Sequence, residues 1–294
     1  MNPKIGIVTV LYNSTTVLVD FFATLNEQTY KNFVLYVIDN KSPDNALAIS
    51  KQLATSSWFQ TVVIENNENF GVAKGNNIGI SKALKDECDM VLLSNNDVML
   101  EPNTIENLLN GMEAQKTNMA VPKIYFHGTN LIWTAGGRFI RHRGGVSHTG
   151  ALETDHRQYN QPRLINYAPT CFMLVRRDVF ARIGIMDEKY FVYWDDTDFV
   201  YRAIKQNESL WYIPDSVVYH KESTSTGNGS KFQTYYMRRN LIYFSRKNYS
   251  SLYSSYVITF SIAEHLFKHI FKWKFDLWKE ALRGYKDGFK IPLK

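Results

Sequence analysis

The sequence predicts an α/β protein with a mostly parallel sheet, followed by a helical C-terminal extension. Two observations carry this. Four β-branched or aliphatic runs alternate with stretches of helical spacing, the pattern of βαβ units. Each run also ends in asparagine or aspartate, at the strand end where open α/β sheets bind ligands. Asn and Asp make good turns, which explains any one of these ends; all four together point to one site.

Lys4–Leu11 reads as the first strand, and Thr16–Gln28 carries Val17, Phe21 or Phe22 and Leu25 at helical spacing. Phe33–Ile38 is a second strand running into the polar turn Asp39-Asn40-Lys41-Ser42-Pro43. Asn45–Ser56 is a helix and Thr61–Glu65 a third strand. Gly71–Lys85 is a helix that begins among glycines, and Met90–Ser94 a fourth strand ending in Asn95-Asn96-Asp97. The middle of the chain, 120–190, holds two glycine pairs and a polar stretch at 147–165. Pro169–Val175 then resumes a strand pattern and Asp178–Ile183 a short helix. Phe199–Lys205 is helical, Leu210–Ile213 and Ser216–Tyr219 are short strands, and helical spacing runs from Lys231 onward. This divides the chain into a domain at 1–230 and a helical region at 231–294.

The 294 residues are 45% hydrophobic and 21% charged, which excludes a disordered, collagen-like or coiled-coil protein. Two cysteines, Cys88 and Cys171, imply no disulfide framework and fit a reducing compartment. The net charge of +6 is unevenly placed: residues 231–294 hold 13 Lys and Arg against 4 Asp and Glu, so the body is mildly acidic. A nucleic-acid binder is not expected to look like this. No signal peptide is visible, and no stretch reaches the roughly 20 apolar residues of a spanning helix. The expected location is cytoplasmic, with the basic, aromatic tail a candidate contact for the inner face of the cell membrane.

Asp97 follows a buried strand. A hard divalent cation binds one or two carboxylates plus substrate phosphates, and a carboxylate at a strand end suits that. A second acidic cluster is Trp194-Asp195-Asp196-Thr197-Asp198, ahead of a helical stretch. Three carboxylates in four residues need a cation, base chemistry or a helix N-terminus to offset them. Helix capping, with Asp195 or Asp196 as the cap and Asp198 in the first turn, is expected to account for at least one of the three. It does not account for the flanking Tyr193 and Trp194, since an aromatic beside a carboxylate can hold a sugar face against a general base. His220 follows a short strand; on spacing alone a lone histidine is more often structural than a ligand.

In their order these residues resemble the inverting family 2 glycosyltransferases of GT-A fold, over roughly residues 4–247. Thr9-Val10-Leu11-Tyr12-Asn13 looks like the family's N-terminal nucleotide-binding stretch, and Asp39-Asn40-Lys41-Ser42 like its base- and ribose-contacting turn. The segment from Asn69 to Gly79, with Lys74, Asn76 and Asn77, is similar to that of rhamnosyl- and galactofuranosyltransferase-like members. Asn95-Asn96-Asp97 stands where the family has its Asp-x-Asp metal motif, with Asn95 in place of the first acid. Met186-Asp187-Glu188 resembles the turn before the base, and Trp194-Asp195-Asp196 the base motif. Tyr219-His220 resembles the metal-binding histidine, and Tyr235-Tyr236-x-x-Arg239-Asn240 a further shared motif.

The resemblance implies a UDP- or dTDP-sugar donor. Thr9 and Asp39 would read the base with Tyr12, Asn13 and Asn40 nearby, and Asn95 and Asn96 would face ribose or sugar. Lys74, Asn76 and Asn77 complete the donor side. Mn²⁺ or Mg²⁺ would be held by Asp97 and His220. Asp196 would be the base that deprotonates an acceptor hydroxyl, giving inversion in one displacement; the sequence alone does not separate it from Asp195. Trp194, Asp195 and Arg239 are expected at the acceptor, a lipid-linked glycan in bacterial surface polysaccharide synthesis. Residues 1 to about 120 would form the donor half and 121–230 the acceptor half.

Two other enzyme classes fit poorly. A nucleotidyltransferase carries a Gly-rich, Arg-containing loop after its first strand, where this chain has Tyr12 to Thr16. A dinucleotide-binding oxidoreductase needs GxGxxG behind that strand. The alternative of another kind is a non-catalytic nucleotide-sugar-binding or assembly scaffold, supported by the missing first acid of the metal motif. In the tail, Leu266, Ile270, Trp273 and Leu277 recur at helical spacing, with Lys268, Lys272, Lys279, Arg283 and Lys286 on another face. This predicts one basic amphipathic helix, seated on an anionic membrane surface, on the catalytic domain or on a second subunit of a homodimer.

Overall fold

A computed structural model describes residues 2–140, 143–221, 229–270 and 275–293. Four parallel strands form its centre: β1 (Ile5–Leu11), β2 (Phe33–Asp39), β3 (Gln60–Glu65) and β4 (Met90–Ser94). They are linked by α1 (Thr15–Asn26), α2 (Ala46–Ser56) and α3 (Gly71–Lys85). β1 lies between β2 and β4, with Leu11 opposite Asp39 and Val8 opposite Leu93. The shared direction brings all four polar strand ends to one edge, as the sequence predicts.

Beyond β4 the sheet turns mixed. The remaining elements are β5 (Val98–Leu100), α4 (Thr104–Ala114), β6 (Met119–Phe126), β7 (Ile132–Thr134), β8 (Gly137–Ile140), β9 (Gly145–His148), β10 (Arg163–Ile165), β11 (Phe172–Arg176), α5 (Arg177–Ile183), α6 (Asp195–Lys205) and β12 (Leu210–His220). The main path runs β10-β12-β6-β11-β4-β1-β2-β3, with β11 antiparallel to both its neighbours and β8–β9 a separate hairpin. The two strands expected around Pro214 are one strand, β12, whose pairing with β6 slips between Ile213 and Val217. A proline lacks the N–H for the ladder, so the strand bulges there instead of ending.

Two cores sandwich the sheet. Ile5, Ile7 and Leu11 of β1 pack on the side of Phe21, Phe22 and Leu108; Val8 packs on the opposite side with Ile80 and Ala83. Glycines bring α3 down onto β1. A Cβ at Gly75 or Gly79 would lie 2.8 Å from Val10 or 2.3 Å from Val8. Gly71 has φ +78°, and a Cβ there would lie 2.2 Å from the Phe191 carbonyl oxygen, which accepts the Val72 N–H at 2.7 Å. Gly71→Ala therefore meets left-handed strain of about 1–2 kcal/mol and a backbone clash together. It is expected to lower stability by about 2 kcal/mol or more in urea unfolding, and an unchanged midpoint would contradict this packing.

The described residues of the tail form α7 (Lys231–Asn248), α8 (Ser251–Ile270) and α9 (Phe275–Lys290). A single straight helix across 266–286 is not what the described residues show: α9 folds back on α8, with the Tyr285 hydroxyl donating to the Ser261 carbonyl at 3.4 Å. Lys272 and Trp273 lie outside the described residues, as do the side chains of Lys268 and Ile270. α9 packs closely on α7: a Cβ at Gly284 or Gly288 would come within 2.5 Å or 2.4 Å of the Tyr235 or Arg239 carbonyl oxygen. Lys279, Arg283, Lys286 and Lys290 face outward. Tyr190 and Trp194 join Ile242, Phe244, Ala281 and Tyr285 in a third core, so the tail shares its interior with the body. No helix among the described residues is long and apolar enough to cross a membrane.

Candidate active site

Asp97 and His220 stand 123 positions apart in sequence and meet because β5 pairs with β12. Val98 lies opposite His220, and the Lys221 N–H closes the ladder on the Asp97 carbonyl at 2.8 Å. The Asp97 Oδ1 and His220 Nε2 atoms come to 3.2 Å, with both residues buried. Neither His220 ring nitrogen makes a hydrogen bond among the described residues. Buried polar nitrogens are rarely left so without a further role. One carboxylate and one imidazole fit a divalent cation that takes its other oxygens from a diphosphate. No group of three or more His, Cys, Asp or Glu able to hold a metal by themselves is found among the described residues.

The acidic cluster lies in the first turn of α6. Capping by Asp195 or Asp196 is not what the structure shows: the cap position is Trp194, and all three aspartates sit inside the helix start, where the dipole favours them. They have three different fates. Asp198 is fully buried and accepts from Arg202 Nε at 2.8 Å, Asn248 Nδ2 at 2.9 Å and Lys247 Nζ at 2.9 Å. Lys247 also bonds Asp187 at 2.8 Å, so this aspartate ties α6 to α7. Asp195 is 4% exposed, and burial together with the Asp196 charge pushes its carboxyl well up. Asp196 keeps part of its surface open. Its Oδ1 accepts the Thr197 N–H at 2.6 Å and the Thr197 hydroxyl at 3.1 Å, and its Oδ2 accepts the Tyr167 hydroxyl at 3.1 Å. Burial raises its pKa, and these hydrogen bonds oppose the rise by favouring the charged form.

Trp194 and Asp195 are corrected as acceptor contacts. Tyr193 and Trp194 are consecutive left-handed residues, at φ 63° and 68°. That turn sends the Trp194 ring back into the third core, against Phe244 at 5.1 Å between centroids, 8% exposed. Asn240 holds the turn by donating to the Val192 and Tyr193 carbonyls at 2.8 and 2.9 Å. Arg239 in turn donates to Asn240 Oδ1 at 2.7 Å and to the Lys189 carbonyl at 2.9 Å. Its guanidinium is thus engaged by the loop that leads into α6.

On the donor side, Tyr12, Asn13 and Asn95 are exposed, with Asn13 in left-handed conformation at φ 55°. Asp39 is 2% exposed at the end of β2 and accepts the Ser42 N–H at 3.3 Å. Asn96 donates to the Val10 carbonyl at 2.7 Å, holding the turn that carries Asp97 against β1. Lys74 lies over the Phe70 ring at 3.7 Å, and Asn76 is 8% exposed. Three expected donor contacts are corrected. Thr9 is fully buried on the Ile7–Leu11 face of β1 and offers no surface. Asn40 bonds the Gly71 carbonyl at 2.9 Å and accepts from Asn66 at 2.8 Å. Asn77 bonds the Met186 carbonyl and N–H, each at 2.9 Å, and Glu188 at 3.0 Å. Their amides brace loops around the site.

Four residues of this centre escape sequence reasoning: Trp133, His148, Tyr167 and Cys171. Trp133 packs on His220 at 4.7 Å and on His148 at 5.2 Å, and His148 packs edge-on to Tyr167 at 5.8 Å. These rings form a continuous wall from the Asp97–His220 pair to Asp196. Burial lowers the His148 pKa, so the ring is kept neutral, partly against the Asp196 charge. Burial, with the charges of Asp97 and Asp196, pushes the Cys171 thiol well up, which keeps it protonated between the two carboxylates.

A sequence profile described as glycosyl transferase family 2 matches residues 6–184. The dTDP-rhamnosyl transferase RfbF of Shigella flexneri is 24% identical over 261 residues, covering 86% of this chain and 83% of that protein. The N-acetylglucosaminyl-diphospho-decaprenol L-rhamnosyltransferase of Mycobacterium tuberculosis is 23% identical, covering 77% of this chain and 79% of its own length. Among solved structures, the mannosyltransferase PcManGT of Pyrobaculum calidifontis, in complex with GDP-Man and Mn²⁺, superposes with a TM-score of 0.59. It is 12% identical, over 98% of this chain and 87% of that one, a likeness of fold.

Proposed function

Given that this chain belongs to glycosyl transferase family 2 and moves sugar from a nucleotide-sugar donor, we propose that it is an inverting, cation-dependent enzyme acting on a lipid-linked glycan. The observation that carries the reading is one ring-walled site joining Asp97 and His220 at one end to Asp196 at the other. The donor name of one relative and the diphospho-decaprenol acceptor of another support the substrate classes.

Tyr12 would lie against the nucleotide base, with Asp39 at its edge and Asn13 and Asn95 towards ribose and sugar. Lys74 and Asn76 stand at the start of α3 beside this edge of the sheet, towards the diphosphate. A bound Mn²⁺ or Mg²⁺ held by Asp97 and His220 supplies charge stabilisation for the leaving diphosphate. Asp196 takes the proton from the acceptor hydroxyl, whose oxygen attacks the anomeric carbon from the face opposite the leaving group. Thr197 and Tyr167 fix the two carboxylate oxygens, and a protonated Asp195 spares Asp196 a second adjacent charge. Arg239 and Asn240 act as positioning residues, through the left-handed turn.

The test is slow hydrolysis of UDP- and dTDP-sugars without acceptor, with Mn²⁺ present. Turnover that EDTA removes and Mn²⁺ restores is expected. Asp97→Asn should weaken cation-dependent donor binding by about tenfold or more, since even losing a residue that only hydrogen-bonds a metal ligand commonly costs about 10–100-fold. Hydrolysis indifferent to EDTA would refute the cation role. Nucleotide-sugar binding with no turnover under any cation would favour the scaffold reading.

A further inference from the structure

A cavity of about 400 Å³ opens beside the ring wall, lined by Phe139, Ile140, Tyr201, Ile204, Tyr249 and Tyr253. It adjoins the base through Phe139, whose ring meets Tyr167 at 5.6 Å on one side and Tyr201 at 5.3 Å on the other. The tyrosines offer it ring surface. The Tyr201 hydroxyl is turned to the Asn248 carbonyl at 3.4 Å, and the Tyr249 hydroxyl to the Gly144 carbonyl at 3.2 Å. Among the described residues the further polar groups at the cavity are Asn166, whose amide oxygen accepts the Phe139 N–H at 3.1 Å, and Lys205 at the exposed rim, whose ammonium donates to the Asn248 carbonyl at 3.3 Å and has further donors to offer.

An aromatic row leaves this cavity along α8. Tyr249 meets Tyr253 at 4.6 Å, Tyr253 stacks with Tyr256 at 6.3 Å, and Tyr256 with Phe260 at 6.1 Å. Tyr256 is 48% exposed and neighbouring Leu252 86%. The described lining offers mostly ring and aliphatic surface with few hydrogen-bonding groups, which suits an apolar chain better than a saccharide. Among the described lining residues Lys205 is the cation, and an ammonium at the mouth matches a phosphate at the head of such a chain.

We propose that the cavity and the α8 row receive the isoprenoid chain of the acceptor, with Lys205 facing its phosphate. This rests on the reading of the acceptor as lipid-linked and adds where its tail lies: away from the donor edge, against the C-terminal helices. α8 would then serve as a substrate-binding element.

The test is photolabelling of the full chain with a benzophenone-bearing farnesyl phosphate, mapped by peptide mass spectrometry. Label is expected within 201–205 and 249–260, displaced by farnesyl phosphate and not by inorganic phosphate or maltotriose. Tyr253→Asp and Ile204→Arg, from opposite walls, should each reduce labelling at least tenfold, with folding checked by thermal melting. The two variants guard against one failing to fold. Label elsewhere, or label unaffected by both variants, overturns the proposal. Equal displacement by phosphatidylglycerol vesicles marks a bilayer surface and overturns it; displacement by maltotriose marks a glycan subsite and does the same. Cation-dependent donor hydrolysis by the unlabelled wild-type protein reports on the transferase reading separately. Hydrolysis without cavity labelling defeats the tail site alone, and cavity labelling without hydrolysis upholds the tail site while defeating the transferase.

Discussion

Asp196→Asn is expected to lower transfer by about 10²–10⁴-fold, the range general base catalysis supplies, while donor binding persists. The amide keeps the size of the carboxylate; its oxygen can still accept from Thr197 and its NH2 can donate to the Tyr167 hydroxyl oxygen, so the start of α6 should hold its shape. Transfer retained in this variant, with donor binding lost, would remove Asp196 from its assigned role. The wild-type pH profile checks the same assignment. The base acts in its ionised form and its pKa is raised, so activity should fail as pH drops through a value above the ordinary carboxylate range near 4. Tyr167→Phe removes a donor to the charged form and should move that acid limb to still higher pH. A limb left in place would dissociate it from Asp196.

The second large effect concerns stability. Lys247→Met leaves Asp198 fully buried with one cation fewer and removes the ammonium paired with Asp187, which keeps its hydrogen bond from Tyr243. Breaking a buried pair by removing one member typically costs about 3–5 kcal/mol. Lys247 is 21% exposed and Asp198 retains Arg202, which places the expected loss at the lower end, about 3 kcal/mol. Burial pushes the Asp187 carboxyl up, but the hydrogen bonds from Lys247 and Tyr243 outweigh it and leave the pKa lowered. Its share of the stability is therefore present above the unfolded carboxylate pKa and fades as pH falls through the folded one. The gap between wild type and Lys247→Met should narrow in acid. A constant gap in urea midpoints from pH 7 to pH 3 would assign the loss to packing.

The donor half was open to reading because its signals are local. β4 and α3 begin and end where the sequence puts them, and β1, β2 and β3 lie within one residue of expectation. Period and turn chemistry suffice for β1, β2 and β4, whose faces are both buried, and for the half-exposed β3 its β-branched run is enough. The pairing of Asp97 with His220 depends on the β5–β12 register, which no local pattern encodes, and came from family resemblance. α4 and β6 escaped despite buried Ile105, Leu108 and Met112 in the one and Ile124 in the other. Pro122 and Lys123 interrupt the β6 pattern, and Lys123 is buried only because Asp155 and Asn160, over 30 positions away, receive its ammonium. Asn40, Asn77 and Arg239 show a different failure. A motif marks residues that a site requires, without separating those that touch a ligand from those that hold up the ones that do. The ring wall was hidden for a related reason: Trp133, His148 and Tyr167 lie on three separate segments that only the sheet edge and the β8–β9 hairpin bring together.

That hairpin leans on the tail. A Cβ at Gly144 would lie 2.3 Å from Val257 of α8, and Tyr249 and Glu264 reach Gly144 and Arg143. His148, at the end of β9, therefore takes its place in the wall from helices that contribute no atom to the chemistry. In lineages descended from such a chain, the strands that read the nucleotide could stay fixed while the last 60 or so residues were exchanged. The hairpin would follow each new helix, and a change of acceptor would be inherited through a segment that an alignment of donor motifs never samples.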